Sequence, residues 1–371
     1  MAADAPVAFL FLGETLLIPH LYPVVEALAT RCPGLPVDVW VSTDTHQALI
    51  EQWLPAGGSV RLRPAPGFRR ACDDPGQGRN PLLPNKLLTL ARLAPGLMRT
   101  RVVLCAEQTS LWLPALLPLR TRFLHTSHGV GSMSARDDRR RRAAWKLLVP
   151  SELERRTYLD RGFTPDKVVA TGYVKASFRY RSQSRPRFDA PRPTILYTPH
   201  WRRHRSSWWD WGRSIVELLA GQHDYNVIFA PHQRLREQVP ELPTLVAELN
   251  RLPHVHADLD SFAMVDGSYT AAADIYLGDT SSQVVEFLAR PRPVVFLNSQ
   301  RIDWRATSDH GFWECGEVLD RLDGLMAALA RAPSLHEQYL SVQTAFASAS
   351  LGELDGGAPA RIVAQILAAL S

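Results

Sequence analysis

The chain has 371 residues, 46% hydrophobic and 21% charged, which excludes global disorder and fibrous repeats and leaves length for two domains with separate cores. Its formal net charge is +5, carried by arginine, since lysine occurs only at Lys86, Lys146, Lys167 and Lys175. Cys32, Cys72, Cys105 and Cys315 form no CxxC pair, which argues against a zinc site or a disulfide framework and fits a reducing cytoplasm.

Short apolar runs alternate with helical patterns along the whole chain, the signature of parallel βαβ units. In the first half, strands are predicted at Val7–Leu12, Asp38–Ser42, Val60–Pro64, Arg101–Cys105, Arg122–Thr126, Lys146–Val149 and Val168–Thr171. Helices fall between them at Tyr22–Thr30, His46–Leu54, Leu87–Leu97 and Glu152–Asp160. The run Val7–Leu12 has no basic flank and reads as a strand, not a signal peptide. Leu111–Leu119 is too short and too proline-broken to span a bilayer. A soluble protein, or one bound at most to a membrane surface, is therefore expected.

From Phe178 to Pro193 the chain turns rich in Arg, Ser and Pro, the composition of a linker. The domains are thus expected at 1–178 and 194–358, with a linker at 179–193 and a terminal helix at 359–371. In the second half, strands are predicted at Thr194–Tyr197, Asn226–Phe229, Val255–Ala257, Asp274–Leu277 and Pro293–Leu297. Helices are predicted at Asp210–Ala220, Leu242–Leu252, Ser282–Leu288 and Leu319–Arg331, and the last begins at Ala360. The expected architecture is two Rossmann-like, doubly wound α/β domains facing a central cleft.

No Walker A, GxGxxG, HExxH or GxSxG motif is present. Nucleotide binding is left to strand-end loops and helix N-termini. His128 and His232 each lie just past a predicted strand, where open parallel sheets bind ligands. In His128-Gly129-Val130-Gly131 the glycines let backbone approach a ligand, and a neutral imidazole can take a proton from a hydroxyl. Tyr197-Thr198-Pro199-His200-Trp201-Arg202 brings guanidinium and an aromatic face to a strand end, suited to phosphate oxygens. His232, after Phe229-Ala230-Pro231, could neutralise a pyrophosphate. In Asp279-Thr280-Ser281-Ser282 a strand runs straight into a helix, so the hydroxyls either cap that helix or help it hold an anion.

Taken together, Ser127-His128-Gly129, Val169 to Tyr173, Tyr197 to Arg202, His232, Asp279 to Ser282 and Pro291 to Phe296 resemble the CDP-glycerol glycerophosphotransferase family of teichoic-acid and capsule polymerases. The resemblance covers Leu124 to Asn298. It implies a GT-B fold and transfer of glycerol phosphate, or a similar polyol phosphate, from a CDP-linked donor to a hydroxyl of a lipid-linked or polysaccharide acceptor, with release of CMP. It makes His128 the general base and His232 a pyrophosphate contact. Gly129, Thr198, Pro199, Arg202, Asp279, Thr280, Ser281 and Ser282 would surround the donor phosphates. Here His128-Gly129 continues with Val130-Gly131 where the family has Thr-Pro, and His232 precedes Gln233 instead of proline.

No carboxylate cluster for a resident metal is evident, so any Mg²⁺ would arrive on the nucleotide diphosphate. Arg136–Arg142, and Arg202–Arg205 with Trp208, Trp209 and Trp211, could meet an anionic membrane face from the cytoplasm. Nucleic acid is not an expected partner. Other readings are a sugar-nucleotide glycosyltransferase or epimerase, with Glu286 at the donor, and a basic non-catalytic adaptor binding nucleic acid or membrane.

Overall fold

The structure, a computed structural model, describes residues 5–55, 58–70, 82–127, 129–130, 137–180, 186–306 and 308–371, without the side chains of Ser282, Ser308 and Asp309. The chain divides into two compact units, residues 1–180 with 349–371, and residues 181–348.

The first unit is built on a seven-stranded sheet: β1 (Val7–Phe11), β2 (Val37–Thr43), β3 (Val60–Arg69), β4 (Val102–Cys105), β5 (Arg122–Thr126), β6 (Lys146–Val149) and β7 (Val168–Ala170). All are parallel, in the order β3-β2-β1-β4-β5-β6-β7. Val-Ala-Phe-Leu-Phe in β1 and Val-Val-Leu-Cys in β4 are buried at every position, as expected where helices cover both faces of a sheet. Helices α1 (Ile18–Arg31), α2 (Asp44–Glu51), α3 (Lys86–Leu97), α4 (Trp112–Leu116), α5 (Arg139–Ala143) and α6 (Glu152–Asp160) connect them. Thr43, Asn85, Asp138 and Ser151 cap α2, α3, α5 and α6, each accepting a backbone N–H.

The second unit repeats the plan with β8 (Thr194–Thr198), β9 (Asn226–Phe229), β10 (Val255–Ala257), β11 (Ile275–Gly278), β12 (Val294–Leu297) and β13 (Glu317–Leu319). Their order is β10-β9-β8-β11-β12-β13, again all parallel. Helices α7 (Arg213–Gly221), α8 (Leu242–Leu249), α9 (Ser268–Ala272), α10 (Ser282–Phe287) and α11 (Leu325–Leu351) complete it, and α12 (Ala358–Leu370) closes the chain. Each unit is thus a Rossmann-like α/β domain.

Three expectations shift. The stretch predicted as a helix from Leu319 starts with the end of β13, and α11 begins only at Leu325 and continues through Pro333 to Leu351. The second unit ends at 348, where the sequence placed its end at 358. Residues 349–371 are held by the first unit: Arg361 Nε donates to the Thr171 carbonyl at 2.8 Å, and α12 packs on α1. Gly352, at φ 68°, turns the chain against the Pro150 carbonyl, where a Cβ would collide. Within the stretch read as linker, Tyr180 stacks on Trp53 at 5.1 Å and meets Tyr22 edge-on at 5.4 Å, so it belongs to the first unit.

Candidate functional site

In a sheet of this order the crossover direction reverses between β8 and β11, and ligands of such folds bind outside the carboxyl ends of the strands at that point. Three strand ends matter there. β8 runs into Pro199-His200-Trp201-Arg202, its neighbour β9 into Pro231-His232-Gln233-Arg234, and β11 into Asp279-Thr280-Ser281. β8 and β9 pair Ile195 with Val227, Leu196 with Ile228 and Tyr197 with Phe229. Continued by five residues, that register sets one Pro-His-x-Arg beside another. The His232 N–H donates to the Pro199 carbonyl at 3.0 Å, and the two imidazole centroids lie 5.4 Å apart.

Both rings are held in one way. Nδ1 of His200 accepts the Arg202 N–H at 3.0 Å, and Nδ1 of His232 accepts the Arg234 N–H at 3.1 Å. A neutral imidazole accepting at Nδ1 carries its hydrogen on Nε2. In that form each ring is a hydrogen-bond donor at Nε2. Burial, with His232 and nearby cations, pushes His200 down to about 3, so it stays neutral at physiological pH. The guanidinium carbons of Arg202 and Arg234 lie 4.9 and 5.4 Å from the Trp201 ring centroid, a cation–π arrangement that holds two permanent charges beside the imidazoles.

Across the switch point, the Asp279 carboxylate accepts the His200 N–H at 2.9 Å. Burial raises Asp279 to about 7, outweighing the His200, Ser206 and Ser207 hydrogen bonds that lower it. The Thr198 hydroxyl donates to the Tyr276 hydroxyl at 2.8 Å, and the Tyr197 and Ser207 hydroxyls lie 3.0 Å apart. Thr198 and Pro199 are buried, the Thr198 hydroxyl bonded to Tyr276 and the Pro199 carbonyl to the His232 N–H. Ser281 caps α10, accepting the Gln283 N–H at 3.2 Å, and Thr280 lines a small cavity with Ser206, Asn298, His310 and Trp313.

The tryptophans for which a membrane contact and interior packing were both open pack inward. Trp208 is 6% exposed and stacks on Phe229 at 5.8 Å, while Trp209 and Trp211 pack partly buried against the same core. The basic run is also partly neutralised, with Arg141 paired to Asp138 and Arg142 to Asp137, each at 2.7 Å.

In the first unit, His128 and Arg136 lie outside the described residues, and Gly129 sits in a bend after β5. The corresponding switch point falls between β1 and β4. Gly13 packs so closely there that a Cβ would run into Leu17 and touch the Glu107 carboxylate. Glu107 is buried and ion-paired with Lys86. His46, fully enclosed, is bonded to the Thr43 hydroxyl at 2.7 Å and pushed down to about 4 by burial. Among the described residues no group of three or more His, Cys, Asp or Glu side chains could hold a metal ion.

Sequence reasoning gave no role to His200, Arg234, Glu107 or Lys86. The first two were marked by a visible signal: Ile-Leu-Tyr-Thr-Pro-His-Trp-Arg and Val-Ile-Phe-Ala-Pro-His-Gln-Arg are the same pattern twice.

No family model and no curated protein sequence matches the chain. Solved structures do. The wall teichoic acid polymerase TagF aligns over 98% of this chain and 88% of its own, at 14% identity and a TM-score of 0.65. The MnaA–UDP structure from S. aureus aligns over 99% and 97%, at 15% identity and TM-score 0.65. The UDP-GlcNAc 2-epimerase of Neisseria meningitidis, bound to UDP-GlcNAc, aligns over 98% and 99%, at 14% identity and TM-score 0.63. The likeness is one of fold. Two Rossmann-like domains with parallel sheets of seven and six strands make this a GT-B architecture.

Proposed function

We propose that the chain is a GT-B transferase that uses a nucleoside-diphosphate-linked donor, and that the unit transferred is a polyol phosphate from a CDP-linked donor. The observation that carries this reading is the doubled Pro-His-x-Arg at the β8–β11 switch point. Two Nε2–H donors and two guanidiniums, gathered at a strand-end position where folds of this kind bind ligands, suit the oxygens of a diphosphate. TagF, whose structures include one soaked with CDPG, shares the fold.

In this reading His232, His200, Arg202 and Arg234 hold the donor diphosphate, with Thr280 and the amides around Ser281 and Ser282 nearby. Phosphoryl transfer asks the protein mainly for positioning and charge stabilisation. His128 takes the proton of the acceptor hydroxyl as that oxygen attacks the β-phosphorus. The bond from the β-phosphorus to the bridging oxygen breaks, and CMP leaves with the electron pair. His200 and His232, with no free lone pair on Nδ1 and hydrogen on Nε2, donate to phosphate oxygens and are unsuited to act as the base. The acceptor is a lipid-linked or polysaccharide hydroxyl at the inner face of the cell membrane.

The equal likeness to UDP-GlcNAc 2-epimerases favours one second reading, a UDP-sugar enzyme. A thermal-shift panel of CDP, UDP, GDP and ADP derivatives separates the two. CDP-glycerol or CDP-ribitol should raise the melting temperature most, and CMP should appear on adding an acceptor. Stabilisation by UDP-GlcNAc alone would favour the second reading, and no response to any nucleotide would end both.

A further inference from the structure

The amino edge of the first unit's sheet carries charge that the donor site leaves unexplained, since sheets of this kind bind ligands at the opposite, carboxyl edge. Arg101 immediately precedes β4, Arg122 and Lys146 open β5 and β6, and Lys167 immediately precedes β7. These four strands are consecutive neighbours, so their cations lie one strand apart in a row roughly 14 Å long. Lysine occurs at only four positions in the chain, and two of them fall in this row.

Backbone carbonyls fix the row. Arg122 Nη1 donates to the Ala369 carbonyl at 2.7 Å and Arg101 to the Leu370 carbonyl, so both sit on the carboxyl end of α12. Lys146 donates to the Asp166 carbonyl and Lys167 to the Arg142 carbonyl. Arg122 and Lys146 also lie 5.2 and 5.1 Å from the centroid of Trp145. Holding α12 accounts for Arg101 and Arg122, but not for Arg99 and Arg120, which are exposed and join them around a recess of about 260 Å³. A guanidinium has five N–H donors, and one carbonyl does not exhaust them. At the lysine end Asp166 offsets part of the charge, whereas no carboxylate lines the arginine recess.

We propose that this edge is a second anion site, which holds the phosphodiester backbone of a polyol-phosphate chain serving as acceptor or leaving as product. The inference rests on the transferase reading given above. The recess takes one protruding phosphate, with guanidinium forks on its oxygens, and the row takes the phosphates that follow along the chain. Single-stranded nucleic acid asks for aromatic faces on which bases stack, and Trp145 already carries Arg122 and Lys146. β5 begins at the recess and ends at Thr126, two residues before His128, a rise of about 13 Å along the strand. A long acceptor is therefore tethered at one end of β5 while its terminal hydroxyl is presented at the other, and tethering raises the effective concentration of that hydroxyl. A single-unit acceptor gains nothing from the edge.

The test measures binding of a soluble poly(glycerol phosphate) oligomer to the full chain by fluorescence anisotropy, beside turnover with long and single-unit acceptors. Wild type should bind the oligomer, less tightly as salt rises. Arg99→Gln/Arg120→Gln, which leaves the two arginines on α12 in place, should weaken binding about tenfold or more. It should raise KM for the long acceptor and leave turnover of the single-unit acceptor unchanged. Lys146→Gln/Lys167→Gln should act in the same direction by a smaller factor, whereas Arg213→Gln on α7 should change nothing. Absence of wild-type binding, full binding by both double variants, or tighter binding of a single-stranded DNA of equal charge overturns the proposal. So does a double variant that loses binding to phosphatidylglycerol vesicles but keeps the oligomer, which would give the edge to lipid. The melting temperature with CDP-glycerol is followed in the same samples. No donor stabilisation in wild type ends the transferase reading and leaves oligomer binding to judge the edge, while donor stabilisation without oligomer binding ends this inference alone.

Discussion

The carboxyl ends of β8 and β11 and those of β1 and β4 occupy the same place in two sheets of the same strand order, yet they hold opposite chemistry. Outside β8, β9 and β11 lie two neighbouring imidazoles 5.4 Å apart, two arginines on one tryptophan, and an aspartate raised to about 7. The balance of charge there is positive, as an anion site requires. Outside β1 and β4, Glu107 is ion-paired with Lys86, and Gly13 packs too closely on Leu17 and Glu107 to leave room for a Cβ. Topology says where a ligand can sit. Which of two equivalent places is equipped for a ligand is decided by side chains, and among the described residues the paired imidazoles and guanidiniums lie in the second unit.

The proposed division of labour makes the two units separable by kinetics. His128→Ala should cut turnover by ~10²–10⁴-fold, the range of a lost general base, while the melting temperature and donor affinity stay at wild-type values. A single-turnover assay beside a donor titration reads both. A fall in donor affinity as large as the fall in turnover would place His128 with the donor and dissolve the comparison.

A smaller effect is expected in the second unit, and in affinity. His200→Ala and His232→Ala each remove one hydrogen bond to a charged ligand, which corresponds to roughly 10- to 100-fold in donor Kd. Because the rings are neighbours, the double variant should depart from additivity. His200→Gln keeps a donor and should recover part of the loss. If His200→Ala binds donor like wild type while His232→Ala does not, the doubled motif is a scaffold with one working half.

Much of this architecture was legible because parallel strands buried on both faces read as unbroken apolar runs, as in Val7–Phe11, Val102–Cys105 and Val294–Leu297. β13 was not, since three residues at a sheet edge, two of them half-buried, make no run. The helix expected to stop at Arg331 has Pro333 two residues on, and proline usually ends a helix. The structure continues it to Leu351. Tyr180 was lost in an Arg- and Ser-rich stretch although aromatic stacking anchors it. At the site, His232 and Arg202 stood out as strand-end residues. The pairing of His200 with His232 needs the β8–β9 register, which no single strand reveals.

The mildest prediction concerns Asp279 and sharpens the contrast between the two switch points. The unfolded chain releases this proton near the usual 3.8, whereas the folded chain holds it until about 7. Its contribution to stability is therefore fully present below pH 3.8 and is lost as pH rises through 7. Asp279→Asn has no proton to lose, so its melting temperature minus that of wild type should climb between about pH 4 and 7 and level off above. His200 runs the other way, since stability held above 6.5 is lost as pH falls towards 3. Asp279→Asn should accordingly be the more acid-labile protein. Donor affinity of the wild type should also weaken above about pH 7, where a carboxylate forms beside the phosphates, and Asp279→Asn should remove that dependence. Parallel melting curves for the two proteins from about pH 4 to 8 would mean that Asp279 is ionised throughout and that the second unit carries a standing negative charge at its anion site.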